Sequence, residues 1–150
     1  MYIGKKYIEN NYNINLNTIE IGSLLHDIGK SQTNNIDHAI IGVNIAKKYN
    51  LNNEILNIIK KHIGCGISKE EAIKYGLPID DSFPRTNEEK IVAHADNLID
   101  GINKITIEKR IDILKKKKIF NELLYKRYIN LHNEILKKSN IEQKINKTFK

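Results

Sequence analysis

The 150-residue chain has no tryptophan, two prolines, one cysteine and no long apolar run, and each shortage removes a class of explanation. A single cysteine, Cys65, cannot form an internal disulfide or supply a multi-cysteine zinc site, so it reads as a small buried hydrophobe. No stretch approaches the roughly 18 apolar residues needed to span a bilayer. The opening MYIGKKYIENNYN also lacks the apolar segment of a secretory signal, so a cytoplasmic protein without membrane association is expected. Both prolines fall within LPIDDSFPRT, residues 77–86, which reads as a surface loop. No alternating strand pattern or internal repeat is visible.

Positive charge is scarce over most of the chain. Residues 1–103 carry 11 basic and 13 acidic side chains, whereas residues 104–150 carry 14 basic and 5 acidic, so the net +7 arises from the C-terminal third. Such a field attracts nucleic acid or another polyanion, and is equally compatible with self-association. The chain is so rich in Ile, Asn and Lys that solvated lysine-rich helix faces are the plainer reading.

What the sequence does contain is helical periodicity. Leu16 to Ile28 is apolar at helical spacing, with Thr18 placed to cap its start and Gly29 where a left-handed cap would end it. Segments from Asp37 to Lys48 and from Asn52 to Ile63 follow. Ser68 with Glu71, and Thr86 with Glu89, have the spacing of capping boxes that open two further helices, the second reaching about Ile99. Beyond Gly101 come a segment from about Ile107 to Ile119 and a longer helix through Lys138, and the final dozen residues are expected to fray. The fold class is all-α: one core over 1–103, completed or extended by basic helices over 104–150.

Polar residues interrupt the apolar faces of these helices. His38 shares a face with Ile41, Gly42 and Ile45, His62 with Ile55, Ile58 and Ile59, and Asp96 with Val92 and Ile99 beside a stripe of Ile91, Ala95 and Leu98. One inward histidine is more often a hydrogen-bonded core residue than a ligand. An aspartate beside a buried stripe is costly unless paired or metal-bound. Together with the adjacent His26 and Asp27, these residues fit one shared centre better than four separate structural roles. Imidazole and carboxylate donors suit one or two divalent transition-metal ions, and do not select among Mn, Fe, Co, Ni and Zn. Asp27 is the natural bridge if there are two. His94 lies roughly 200° around the helix from Asp96, which assigns it to a supporting or solvent-facing place, and His132 reads as structural. Gly64 and Gly66 would leave space beside His62 for substrate or water, and equally suit ordinary helix terminators.

The ordered series HDIGK, DHAIIG, KKHIG and EEKIVAHADNL resembles the HD superfamily of metal-dependent phosphohydrolases, especially its small archaeal-type HDIG proteins, over roughly residues 16–103. The resemblance implies that His26 and Asp27 are the central metal pair and that Asp96 closes the first ion's shell. It further implies that His38 and His62 hold a second ion with Asp27 bridging, and that Lys30 lies close to the substrate phosphate. Asp27 and Lys30 are thus the catalytic assignments. The family pattern begins with a further histidine upstream, whereas no histidine precedes His26 here, and residues 2–9 read like the later part of that first helix. The implied activity is hydrolysis of a phosphate monoester or diester. The implied substrate is a nucleotide or related small organic phosphate, with RNA as a second class; Lys69 and Arg85 are weaker candidates for binding its charge. The alternative is a catalytically lapsed metal-binding or ligand-sensing protein.

Overall fold

A computed structural model describes residues 1–80 and 82–141 of the chain. It contains helices α1 (Tyr2–Glu9), α2 (Leu16–Leu25), α3 (His38–Lys48), α4 (Asn53–Lys61), α5 (Lys69–Lys74), α6 (Asn87–Asn97), α7 (Ile107–Lys116) and α8 (Glu122–Ser139). A short 3-10 turn, Ile28–Ser31, joins α2 to the α3 segment. The domain is all-α apart from a hairpin of two-residue strands, β1 (Ile99–Asp100) and β2 (Asn103–Lys104), paired antiparallel. Strands this short leave no readable alternation, which is why the sequence pattern gave no sign of them. The expected fraying of the last dozen residues lies, beyond residue 141, outside the described residues.

Side-chain caps set most helix starts. Asn15, Asn52, Thr106 and Asn121 accept from the backbone N–H three residues on. Ser68 and Thr86 form complete capping boxes with Glu71 and Glu89, as their spacing predicts. Thr18 corrects the reading at α2. It is buried, its hydroxyl donates to Glu54 at 3.0 Å, and Asn15 does the capping. Asp37 occupies the cap position of α3 without a side-chain capping bond.

α2 and α4 pack together at the centre, with α3 against α4 and α6 against both α2 and α4. α8 closes the other side on α1, α6 and α7. The main apolar cluster runs from Tyr7 and Ile19 through Ile58 and Ile91 to Ile111, Leu131 and Ile135, so both ends of the chain contribute to it. A smaller cluster around Ala46, Ile55 and Ile59 lies under α3. Ile58, Ile59 and Ile135 are at most 1% exposed, and each such side chain contributes about 1.5–3 kcal/mol by leaving water. This packing fixes the ends of α2, α4 and α6 next to the start of α3.

Gly29 is needed for close approach rather than for a left-handed cap. Its φ is negative, and a Cβ there would lie 1.9 Å from the His38 carbonyl oxygen. The turn carrying Asp27 can therefore press directly against the first turn of α3.

Candidate metal centre

His26 and His62 are the residues that end α2 and α4, Asp96 lies in the last turn of α6, and His38 begins α3. Three of these four places are helix C-termini, where unsatisfied carbonyls concentrate partial negative charge. A cation is favoured where such ends converge.

The histidines share one orientation. Nδ1 of His26, His38 and His62 lies 2.7, 2.7 and 2.8 Å from the carbonyl oxygen of Ser23, Asn35 and Ile59, each three residues earlier. A carbonyl can only accept, so each Nδ1 carries the proton and donates it. In the neutral ring the Nε2 lone pair is then free for a metal. The Ser23 and Ile59 carbonyls belong to the last turns of α2 and α4, where no backbone N–H follows to claim them. Histidine just past a helix end satisfies that need, and the regular spacing was a signal open to sequence reading.

All three Nε2 atoms converge on Asp27. Its Oδ1 lies 3.3 Å from Nε2 of both His38 and His62, and those two nitrogens face each other at 3.1 Å. Its Oδ2 lies 3.4 Å from Nε2 of His26, which is in turn 3.5 Å from Oδ1 of Asp96. Two groups of three donors result, Asp27–His38–His62 and His26–Asp27–Asp96, with Asp27 in both. Metal to nitrogen distances of about 2.0–2.1 Å put neighbouring donors on one ion roughly 3.0–3.4 Å apart. The observed separations fall close to that range.

Asp27 Oδ1 is shielded from solvent and has no hydrogen-bond partner among the described residues. An orphaned carboxylate oxygen between two lone pairs at this spacing is costly unless a cation lies among them. The donors present therefore fit divalent metal.

Burial alone raises a carboxyl pKa, but His62, Lys30 and His26 outweigh it and hold Asp27 well below the usual carboxylate range. Lys30 Nζ lies 2.6 Å from Asp27 Oδ2. Asp96 is also lowered, since the His26 contact overcomes desolvation. Burial and the neighbouring His62 lower His38, which keeps it neutral. His26 goes the other way, because Asp96, the Ser23 carbonyl and Asp27 outweigh its burial.

The remaining residues singled out in the sequence fall elsewhere in the molecule. His94 is 2% exposed and neither supports the cluster nor faces solvent. Its Nε2 lies 3.0 Å from Nδ1 of the buried His132, on α8. Gly64 and Gly66 have positive φ, and a Cβ at either would strike Tyr128 or Phe83; both also line a cavity in the loop that follows His62. Ala95 on α6 and Ile99 in β1 are exposed rather than inward, and the buried side of α6 includes Ile91, Val92, His94 and Asn97. Lys69 and Arg85 are both exposed.

Residues 2–100 match the pattern of the HD domain. The chain belongs to the HD domain family. A tRNA (cytidine(56)-2'-O)-methyltransferase of Picrophilus torridus is 47% identical over 117 residues, 78% of this chain and 34% of that protein. An uncharacterized protein of Methanocaldococcus jannaschii is 44% identical over 124 residues, covering 83% of this chain and 73% of its own length. Ribonuclease Y of Acetivibrio thermocellus is 42% identical over 53 residues, 34% of this chain and 10% of that enzyme. The chain thus spans about a third of the length of the methyltransferase it matches. No solved structure matches it.

The HD domain and its His/Asp cluster are consistent with one or two divalent transition-metal ions and with metal-dependent phosphoester hydrolysis. Among the described residues no helix is long and apolar enough to cross a membrane.

Proposed function

We propose that this HD domain hydrolyses the phosphate ester of a nucleotide or a related small organic phosphate, using metal held at Asp27. The observation that carries this reading is the carboxylate of Asp27, with one oxygen turned to His38 and His62 and the other to His26. In this reading His38 and His62 would hold one ion and His26 and Asp96 the other, with Asp27 a donor in both groups. Each group supplies only three protein donors, a number that leaves positions for water and substrate, as catalytic rather than purely structural metal sites do. Bound divalent ions would activate water and neutralise charge developing on the phosphoryl oxygens.

The chain's own residues have distinct tasks. The Ser23, Asn35 and Ile59 carbonyls keep the three imidazoles in the donor orientation, and the depressed pKa of Asp27 keeps it ionised. Lys30, about half exposed and already paired with Asp27, is placed to swing its ammonium onto a substrate phosphate. The basic C-terminal helices are read as completing or extending the same domain as the 1–103 core, a reading supported among the described residues by the shared cluster of Tyr7, Ile58 and Ile135. RNA is the second substrate class. It is favoured by the basic C-terminal third and by the RNA-directed names of the methyltransferase and ribonuclease relatives.

The test is turnover of a panel of phosphate monoesters and diesters by chain whose metal content has been measured after reconstitution with Mn, Fe, Co, Ni or Zn. Hydrolysis that Asp27→Ala abolishes supports the proposal. A metal-replete chain inactive across the panel would instead favour a ligand-sensing role.

A further inference from the structure

A cavity of about 230 Å³ opens between the loop after α4 and the α7–α8 connection. Its lining includes Ile63 and Gly64, the two residues after His62, and Ile36, two residues before His38. The same backbone that sets the cluster therefore forms one wall of the cavity. Tyr75, Phe120 and Tyr128 give it aromatic surface, and the exposed ammonium-bearing residues Lys74 and Lys118 are at its border.

Tyr128 is the most telling of these. It is 5% exposed, its hydroxyl lies over Gly64 on the cavity wall, and no described residue hydrogen-bonds that hydroxyl. Burial pushes its pKa up, with Asp96 among the charges that raise it further. A protonated donor on an aromatic wall suits a ring nitrogen or carbonyl of a planar heterocycle. Glu71 also lines the cavity, but its carboxylate is engaged by Arg127 and presents less uncompensated negative charge. The border is thus cationic and the interior aromatic.

We infer that this cavity is the base-binding subsite of the domain, taking the nucleobase of a nucleoside monophosphate unit whose phosphate extends toward the cluster. The inference rests on the phosphohydrolase reading above and deepens it. Ligand pockets usually measure about 300–1,000 Å³; at 230 Å³ the cavity is sized for one ring system, with sugar and phosphate outside. Stacking on Phe120 or Tyr75 would supply affinity with little sequence preference. Tyr128 would supply the polar contact that orients the base, and Lys74 and Lys118 would attract the phosphate. A free nucleotide and the end of an RNA strand offer the same unit.

The test measures binding of adenosine 5′-monophosphate, inorganic phosphate and a short oligoadenylate by equilibrium dialysis in chelator, with Tyr128→Phe, Phe120→Ala and Lys74→Gln beside the parent. Unchanged thermal melting and unchanged metal uptake serve as the check on folding; Lys74→Gln alters an exposed side chain and guards against a core defect in the other two. Adenosine monophosphate is expected to bind more tightly than inorganic phosphate. Its Kd should rise about 5- to 10-fold in Tyr128→Phe and about 10-fold or more in Phe120→Ala, while the affinity for inorganic phosphate stays constant in both. Tighter binding of the oligoadenylate than of the monophosphate assigns the subsite to an RNA end, and the reverse assigns it to free nucleotide.

Equal affinity for adenosine monophosphate in all variants, or no preference over inorganic phosphate, would overturn the inference. Hydrolysis of nucleotides with KM unchanged in the three variants would overturn the subsite and leave the hydrolase intact. Nucleotide binding with these sensitivities in a metal-loaded chain that hydrolyses nothing would do the reverse.

Discussion

Among the described residues two histidine pairs bring ring nitrogens within hydrogen-bond distance of each other, and only one of them has the character of a metal site. His38 and His62 approach at 3.1 Å, His94 and His132 at 3.0 Å, and all four rings are buried. The difference lies in where the protons are. His38 and His62 both commit Nδ1–H to backbone carbonyls, so two Nε2 lone pairs and the orphaned Asp27 oxygen face one point. His94 has no partner at Nδ1 among the described residues, so its Nε2 and Nδ1 of His132 can share a proton as an ordinary neutral hydrogen bond. Burial and the neighbouring His132 push His94 down to about 4, which keeps the pair uncharged. A short distance between imidazoles therefore says little; the partner of the other ring nitrogen decides.

Removing the shared carboxylate should break this contrast most severely. Asp27→Ala is expected to lose about 100-fold or more in metal affinity, since even the partners that merely orient a ligand are worth about 10- to 100-fold. Isothermal titration with Mn or Zn would measure it. Disturbing the close approach that positions Asp27 comes next. Gly29→Ala adds a methyl group 1.9 Å from the His38 carbonyl oxygen, and a loss of about 1–3 kcal/mol in denaturant unfolding is expected, with weaker metal uptake as the turn moves away from α3.

The second pair should respond differently. His94→Leu alone leaves His132 with an unpaired buried nitrogen, expected to cost about 1–3 kcal/mol. Pairing it with His132→Leu should recover part of that loss, and neither change should alter the metal content. Thermal unfolding of the singles and the double, with metal analysis of each, checks both statements.

Acid should separate the two halves of the centre by a smaller margin. The His26 pKa is raised, so near neutrality its proton competes with an ion, whereas His38 is lowered and stays deprotonated further into acid. As pH falls, the ion at His26 and Asp96 is expected to leave first. Metal retained per chain between pH 8 and pH 5.5, compared in parent and His62→Ala, would show whether the more acid-resistant ion depends on His62.

The contrast also explains what could be read from the sequence. His26, Asp27, His38, His62 and Asp96 stand where helical spacing and helix ends place them, and the structure gathers all five. Both capping boxes were equally legible, because they depend on residues three apart. Long-range contacts were hidden. The angle between His94 and Asp96 separates them on α6, but cannot reveal that His132, 38 positions away, meets His94 in the interior. Gly29 looked like a helix terminator because the proximity of the His38 carbonyl is a property of packing between segments. Thr18 looked like a cap until Glu54, from α4, was seen to take its hydroxyl.

The most direct measurement is metal per chain after anaerobic purification and reconstitution, in the parent, His62→Ala, Asp27→Ala and His94→Leu. Near two ions in the parent and in His94→Leu, near one in His62→Ala and near none in Asp27→Ala are expected if Asp27 joins two sites. An Asp27→Ala chain that keeps the parent's metal, or a His94→Leu chain that loses it, would contradict that arrangement.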